Sequence, residues 1–201
     1  LEEPGECAVG SDALPSPEKA ALQAASVIGH VFWDEPLEHI DPGAPAALDG
    51  LMRRDLAQAR ETSAFEGVRE YAFKHHLLHQ VTYDSVLRQH KREQHRLTAE
   101  WLVGRSGERA SEYHGLIAEH YERAGDVANA AIYLRQAGEE AAKAYANAAA
   151  LDYLSRALAL TPPTQPTSCF ALLHKRASVF SNMGQRGEQG RHLGLLLLRR
   201  H

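Results

Sequence analysis

His75 and His79 stand four residues apart in a stretch that reads as helix, the spacing at which two imidazoles come to one side and can share a zinc ion. No glutamate lies between them to act as a base, and no third ligand is evident. A solvated or interface histidine pair is therefore the plainer reading, and no metal is expected. Arg88, Lys91, Arg92 and Arg96 form a basic run that could contact phosphates. Glu93 interrupts it, as on the wet face of an ordinary helix. Ser26, Ser63 and Ser85 lack a nucleophile-elbow context, and Trp33 and Trp101 read as core rather than as stacking platforms. No glycine-rich phosphate loop followed by Lys-Ser or Lys-Thr is present, so hydrolysis of ATP by that route is excluded for this chain. No catalytic residue and no cofactor of its own are expected.

The elements that must position these groups pivot on Tyr71–Tyr83, where a short alternating run becomes a helical pattern reaching about Trp101. Tyr71 and Phe73 share one face of the strand, with Ala72 and Lys74 on the other. Leu77, Leu78, Val81, Val86, Leu87, Leu97, Trp101 and Leu102 recur at helical spacing and predict a core stripe. His75 and His79 fall on the side away from Leu77 and Val81, so they are expected to face something other than this module's own core.

Upstream, residues 1–14 carry Pro4, Gly5 and Gly10 without an apolar period and read as a linker. Ser16-Pro17-Glu18 is a helix start with Ser16 as cap, and Gly29 is its stop. Val31–Trp33 reads as a buried connector, Asp34 opens a second helix to about Ile40, and Pro45 opens a third carrying Leu48, Leu51, Met52 and Leu56. Residues 57–74 then end in a strand over 68–73, predicting a single small hairpin. Three helices and a hairpin are the ingredients of a winged helix, over 15–104.

Gly104 and Gly107 mark a boundary, beyond which alanine dominates. Ala118, Tyr121, Gly125, Ala130, Leu134 and Ala137 have the spacing of a tetratricopeptide repeat, with the turn at Gly125-Asp126. Gly138, Ala150, Leu154, Ala157 and Pro162 match again, well short of the roughly 34-residue interval of separate repeats. The helix from Val127 to about Tyr145 is thus expected to serve both units, with a second turn near Asn147. Leu173, Ala177, Phe180 and Gly184 give a third match, and Gln185–His201 depart from the pattern. The predicted class is mainly α: a winged-helix-like module followed by a tetratricopeptide-like array over 108–201, incomplete at its C-terminal end. The chain reads as a fragment at both ends.

The chain of 201 residues is 44% apolar, enough for a core, and its net charge of −4 argues against a dedicated nucleic-acid binder. Cys7 and Cys169 fall in different modules and suggest neither a disulfide framework nor a zinc finger. No apolar run approaches the roughly 20 residues of a membrane helix, and the start lacks a signal-peptide pattern. A reducing, cytoplasmic location is expected.

Ala24–Trp33, Tyr71–His75 with Leu77-Leu78 and Val81-Thr82-Tyr83, and His120–Asp126 together resemble the region after the ATPase module in bacterial signal-transduction NTPases of the STAND class. The resemblance covers roughly residues 13–184. It is closest to members in which an adenylate/guanylate cyclase domain precedes the AAA-type ATPase and tetratricopeptide repeats follow. The resemblance implies that a winged helix clamps an upstream NTPase holding ATP or ADP, and that the repeats receive the signal. It also implies a role for His75, which matches the nucleotide-sensing histidine of the methionine-histidine-aspartate motif. Lys74 and His76 stand where that motif has methionine and aspartate.

Two functions follow as expectations. One is a non-catalytic regulatory and protein-interaction region, docked on an NTPase and offering a protein partner the concave face of residues 108–184. The other is a DNA-binding regulator whose third helix, with Arg53 and Arg54, enters the major groove. The acidic balance favours the first, as does the position of that arginine pair at a helix end, where it complements the dipole.

Overall fold

The structure, a computed structural model, describes residues 14–184. Most of the proposed N-terminal linker, Cys7, and the C-terminal departure over 185–201 lie outside the described residues. The described chain is mainly helical with one small antiparallel sheet, and it divides into two compact units between Thr98 and Ala99. No helix among the described residues is long and apolar enough to cross a membrane.

In the first unit, α1 (Ser16–Ile28) begins with Pro17 in its first turn and Glu18 where the helix dipole favours a carboxylate. Ser16 is the first helical residue and its side chain does not cap, which corrects the role read from the sequence. The helix buries Ala21, Leu22, Ala24, Ala25, Val27 and Ile28, and packs on α3 (Ala44–Arg53) and α4 (His76–Ser85). Between α1 and α3 lie β1 (Val31–Trp33) and α2 (Asp34–Ile40). Two further strands follow, β2 (Ala57–Ala59) and β3 (Glu70–Phe73).

The sheet order is β1-β3-β2 with both pairings antiparallel. Val31–Trp33 is thus a strand rather than a connector, and the expected single hairpin is a three-stranded sheet. The register sets Phe32 opposite Tyr71 and Trp33 opposite Glu70. As the central strand, β3 has all four of its residues buried. Phe32 stacks on Tyr71, their centroids 5.6 Å apart, and meets Phe73 edge-on at the same distance.

The long helix expected from Leu77 to Trp101 is broken. Ser85 Oγ donates to the Thr82 carbonyl at 2.6 Å, Val86 turns extended and buries its side chain, and α5 (Arg88–Ser106) starts afresh. A hydroxyl that satisfies a last-turn carbonyl and a β-branched residue in the β region together end α4. The core stripe is also corrected. Leu77, Val81 and Leu87 are 70%, 55% and 67% exposed, while Thr82 is buried and His79 half-buried. Val86 and Leu102 of the stripe are buried as predicted, but on α4 the inner positions belong to Thr82 and His79 rather than to Leu77 and Val81.

The second unit continues from the end of α5 through a 3-10 turn (Gly107–Arg109). It then runs through α6 (Ala110–Ala124), α7 (Val127–Lys143), α8 (Asn147–Leu160) and α9 (Pro166–Asn182). Each packs on the next, so α7 touches both α6 and α8. The change of composition at Gly104 and Gly107 marks the end of α5, whereas the division of contacts falls earlier, inside that helix. Gly125 takes the left-handed conformation with φ 82°, and Asp126 caps α7 by accepting from Asn129 N at 3.1 Å. Ala118, Leu134, Ala150, Leu154, Ala157, Leu172 and Val179 form the core, the small side chains admitting close helix approach. Leu173, Ala177 and Phe180 are buried on α9 as their spacing predicts.

Candidate functional site

The junction of β3 and α4 carries the residues singled out for chemistry. Its backbone is held on two sides: Phe73 N donates to the His30 carbonyl at 2.9 Å and Lys74 N to the Leu56 carbonyl at 3.1 Å. Lys74 Nζ also pairs with Asp55 Oδ1 at 2.9 Å. His75 is the extended residue that precedes α4, with φ −128° and ψ 129°; its side chain does not cap the helix and is exposed. A fixed backbone with an exposed imidazole suits a contact outside the unit.

His79 behaves otherwise, correcting the expectation that the pair faces away together. Its Nε2 sits 3.0 Å from the Ser26 carbonyl, so that nitrogen carries the proton and donates. Its ring meets Phe73 edge-on with centroids 5.1 Å apart. The imidazoles beside it are His30 and His76, at centroid distances of 5.8 and 6.2 Å. His30 was invisible to sequence spacing because the fold brings it in from the α1–β1 turn.

The basic groups proposed for phosphate or DNA are largely engaged at home. Arg54 Nε donates to Glu18 Oε2 at 2.7 Å, Arg96 chelates Glu93, and Lys91 Nζ lies 4.3 Å from the centre of the Tyr83 ring. Arg53 is exposed in the last turn of α3. The serines are spent locally: Ser26 Oγ donates to the Gln23 carbonyl at 2.7 Å, and Ser63 Oγ accepts from Phe65 N. Trp33 is core, edge-on to Phe65 and bonded to Glu70.

In the helical row, ion pairs join helices two apart. Arg156 on α8 binds Glu122 on α6, and Lys175 on α9 lies 3.2 Å from Glu139 on α7, which also accepts from Arg135. Burial pushes the Glu139 carboxyl up, but bonds from Arg135 and Lys175 overcome it and hold the group below the usual carboxylate range. Burial pushes the His114 imidazole down, opposed by Glu140 and Glu139. Phe170, stacked on His174 and 49% exposed, is a large apolar side chain exposed on α9, and Val127 and Ile132 are exposed on α7.

In comparisons with known proteins, the chain matches no family model, no curated protein and no solved structure.

Proposed function

We propose that this chain is a non-catalytic regulatory and protein-interaction region of a larger STAND-class signal-transduction ATPase. In this reading the first unit is a winged-helix-like module that docks on an NTPase module outside this sequence, and the helical row is a tetratricopeptide-like array that receives a protein partner. The observation that carries it is the outer face of α4. Leu77 and Val81, one helical turn apart and both more than half exposed, directly follow the exposed His75. An apolar pair left uncovered by its own unit beside a polar group on a fixed backbone is what a docking edge requires.

The mechanism is one of restraint. The NTPase holds ATP or ADP; the docked module lays α4 against it, and His75 donates to a phosphate oxygen. One charge-assisted hydrogen bond of this kind contributes about 1.5–3 kcal/mol, or about one to two orders of magnitude in the lifetime of an ADP-bound resting state. Engagement of the helical row by a partner would strain that contact and release it. The DNA-binding alternative gains no support, since Glu18, Glu93 and Tyr83 already occupy Arg54, Arg96 and Lys91.

The test uses the protein extended upstream through its NTPase. His75→Ala and the double change Leu77→Ser/Val81→Ser should each speed ADP release about tenfold or more, without changing the thermal stability of the 201-residue chain. Unchanged release in both variants, or micromolar ATP binding by the chain alone, overturns the proposal.

A further inference from the structure

We propose that Tyr145, at the turn between α7 and α8, is an anchor by which the helical row docks into an uncharged, apolar slot of a partner protein. The proposal rests on the reading of the row as a protein-interaction array and names one point of contact on it.

Two turns of the row are built alike and can be compared residue by residue. At the α6–α7 turn, Gly125 N donates to the Glu122 carbonyl at 3.0 Å and Asp126 N to the Tyr121 carbonyl at 2.9 Å. At the α7–α8 turn, Tyr145 N donates to the Ala142 carbonyl at 3.1 Å and Ala146 N to the Ala141 carbonyl at 2.9 Å. Both therefore ask for a left-handed residue at the same place, and the φ angles there are 82° and 58°. Glycine meets that demand without strain, whereas a residue with a Cβ and an aromatic ring does not. The first turn then caps its next helix with Asp126; the second has Ala146 there, and no side chain caps α8. A turn that had only to join two helices would be more stable with the first pair of residues.

In exchange the second turn presents a ring to solvent. Tyr145 is 80% exposed, more than any other large hydrophobic side chain among the described residues. A strained backbone beneath an exposed aromatic points to a contact outside the chain. The surroundings define what that contact is. Ala144, Ala146, Ala148 and Ala149 are exposed beside it, and the one charge over residues 143–149, Lys143, has its Nζ 2.8 Å from Glu140 Oε1. A charged group of a partner laid on these alanines would lose its water and find no counter-charge. The phosphates of a nucleic acid or an anionic lipid surface would likewise meet a cation already engaged. A neutral protein slot suits the patch, its wall apolar for the ring and its end polar for the hydroxyl. Because the turn's hydrogen bonds already fix the backbone, docking has only the two side-chain torsions of the tyrosine left to order.

The experiment begins with Tyr145→Asn in the 201-residue chain, since asparagine tolerates the left-handed region. Its melting temperature should rise by about 2–6 °C; a fall would return Tyr145 to the fold and overturn the proposal. Photoreactive benzoylphenylalanine is next placed at position 145 in cells that make the protein, and for comparison at Val127, exposed at the other end of α7. A protein joined to position 145 and not to position 127 is purified and titrated by calorimetry against the chain. The wild type should bind it about tenfold or more tightly than Tyr145→Asn does. Absence of a captured protein, crosslinks to lipid or nucleic acid in its place, or equal binding by the two chains overturns the contact. Equal binding would still leave the row a receiver of that protein, so the failure of this inference and the failure of the interaction reading are distinguishable.

Discussion

Trp33 Nε1–H donates to Glu70 Oε2 at 2.9 Å across the β1–β3 pairing, and both residues are buried. The register that sets them opposite each other makes the bond a cross-strand pair. The same carboxylate accepts from Ala64 N at 2.9 Å and meets Arg60 Nη1 at 2.8 Å, so it also holds the 60–69 loop onto the sheet.

Replacing this carboxylate strands several donors at once. Glu70→Ala should destabilise the first unit by about 2–4 kcal/mol, whereas Trp33→Phe, which removes one bond and keeps most of the ring, should cost about 1–2 kcal/mol. Urea denaturation checks both. In Glu70→Ala the Trp33 emission should shift to the red as water reaches the indole; a loss below that of Trp33→Phe would contradict the role assigned to Glu70.

Stability should fall with acidification through His114. Burial lowers its folded-state pKa, with Glu140 and Glu139 opposing, so the unfolded chain takes up the proton first as pH drops. The contribution is present above the unfolded value of about 6.5 and is lost as pH falls through the lower folded value. Thermal melts from pH 7.5 to pH 5 should show this loss, and His114→Phe, which keeps a ring against Tyr133, should flatten the curve in that window. Losses from Glu139 belong at lower pH, since its folded pKa is depressed below the carboxylate range.

Two glycines should respond to alanine with opposite signs. A Cβ on Gly138 would meet Leu154 Cγ at 2.7 Å and the Leu154 backbone nitrogen at 3.3 Å, inside the core. Gly138→Ala should therefore cost about 1–3 kcal/mol despite better helix propensity. Gly104, inside α5, has nothing within 4 Å of such a Cβ, and Gly104→Ala should stabilise by roughly 0.5–1 kcal/mol. Melting temperatures moving the same way for both would refute the packing argument.

The inverted face of α4 can be read by substitution. Leu77→Gln should change stability by no more than about 0.5 kcal/mol, while Val86→Ala, at a buried position, should cost about 1–3 kcal/mol. Chemical denaturation of the two side by side decides whether Leu77 contributes to the core.

What the sequence told, it told through local rules. Pro17 and Glu18 marked the start of α1, one lacking an amide the first turn would leave unpaired and the other favoured by the helix dipole, and Gly125-Asp126 marked the α6–α7 turn by a left-handed glycine and a capping carboxylate. Alanine at regular intervals told where helices touch. Val31–Trp33 escaped because a three-residue strand is too short to alternate, and its pairing partner lies far along the chain. The face of α4 was read from hydrophobicity alone, and the inner positions went to Thr82 and to His79, whose Nε2–H finds the Ser26 carbonyl of α1. His30 could be joined to His76 and His79 only by the fold, since nothing in their spacing connects an α1–β1 turn to a helix start.

The ion pairs that skip a helix have a mechanical consequence. Helices packed mainly on successive neighbours leave one soft coordinate, the angle between each helix and the next but one. Arg156–Glu122 and Lys175–Glu139 span that coordinate like guy ropes, with side chains that keep 25–40% of their surface in water. Their tension therefore varies with ionic strength over a Debye length of about 8 Å in physiological salt. A partner that brings its own charges to Glu122 or Glu139 would slacken the rope it displaces, and so would alter the compliance of the row as well as occupy its surface.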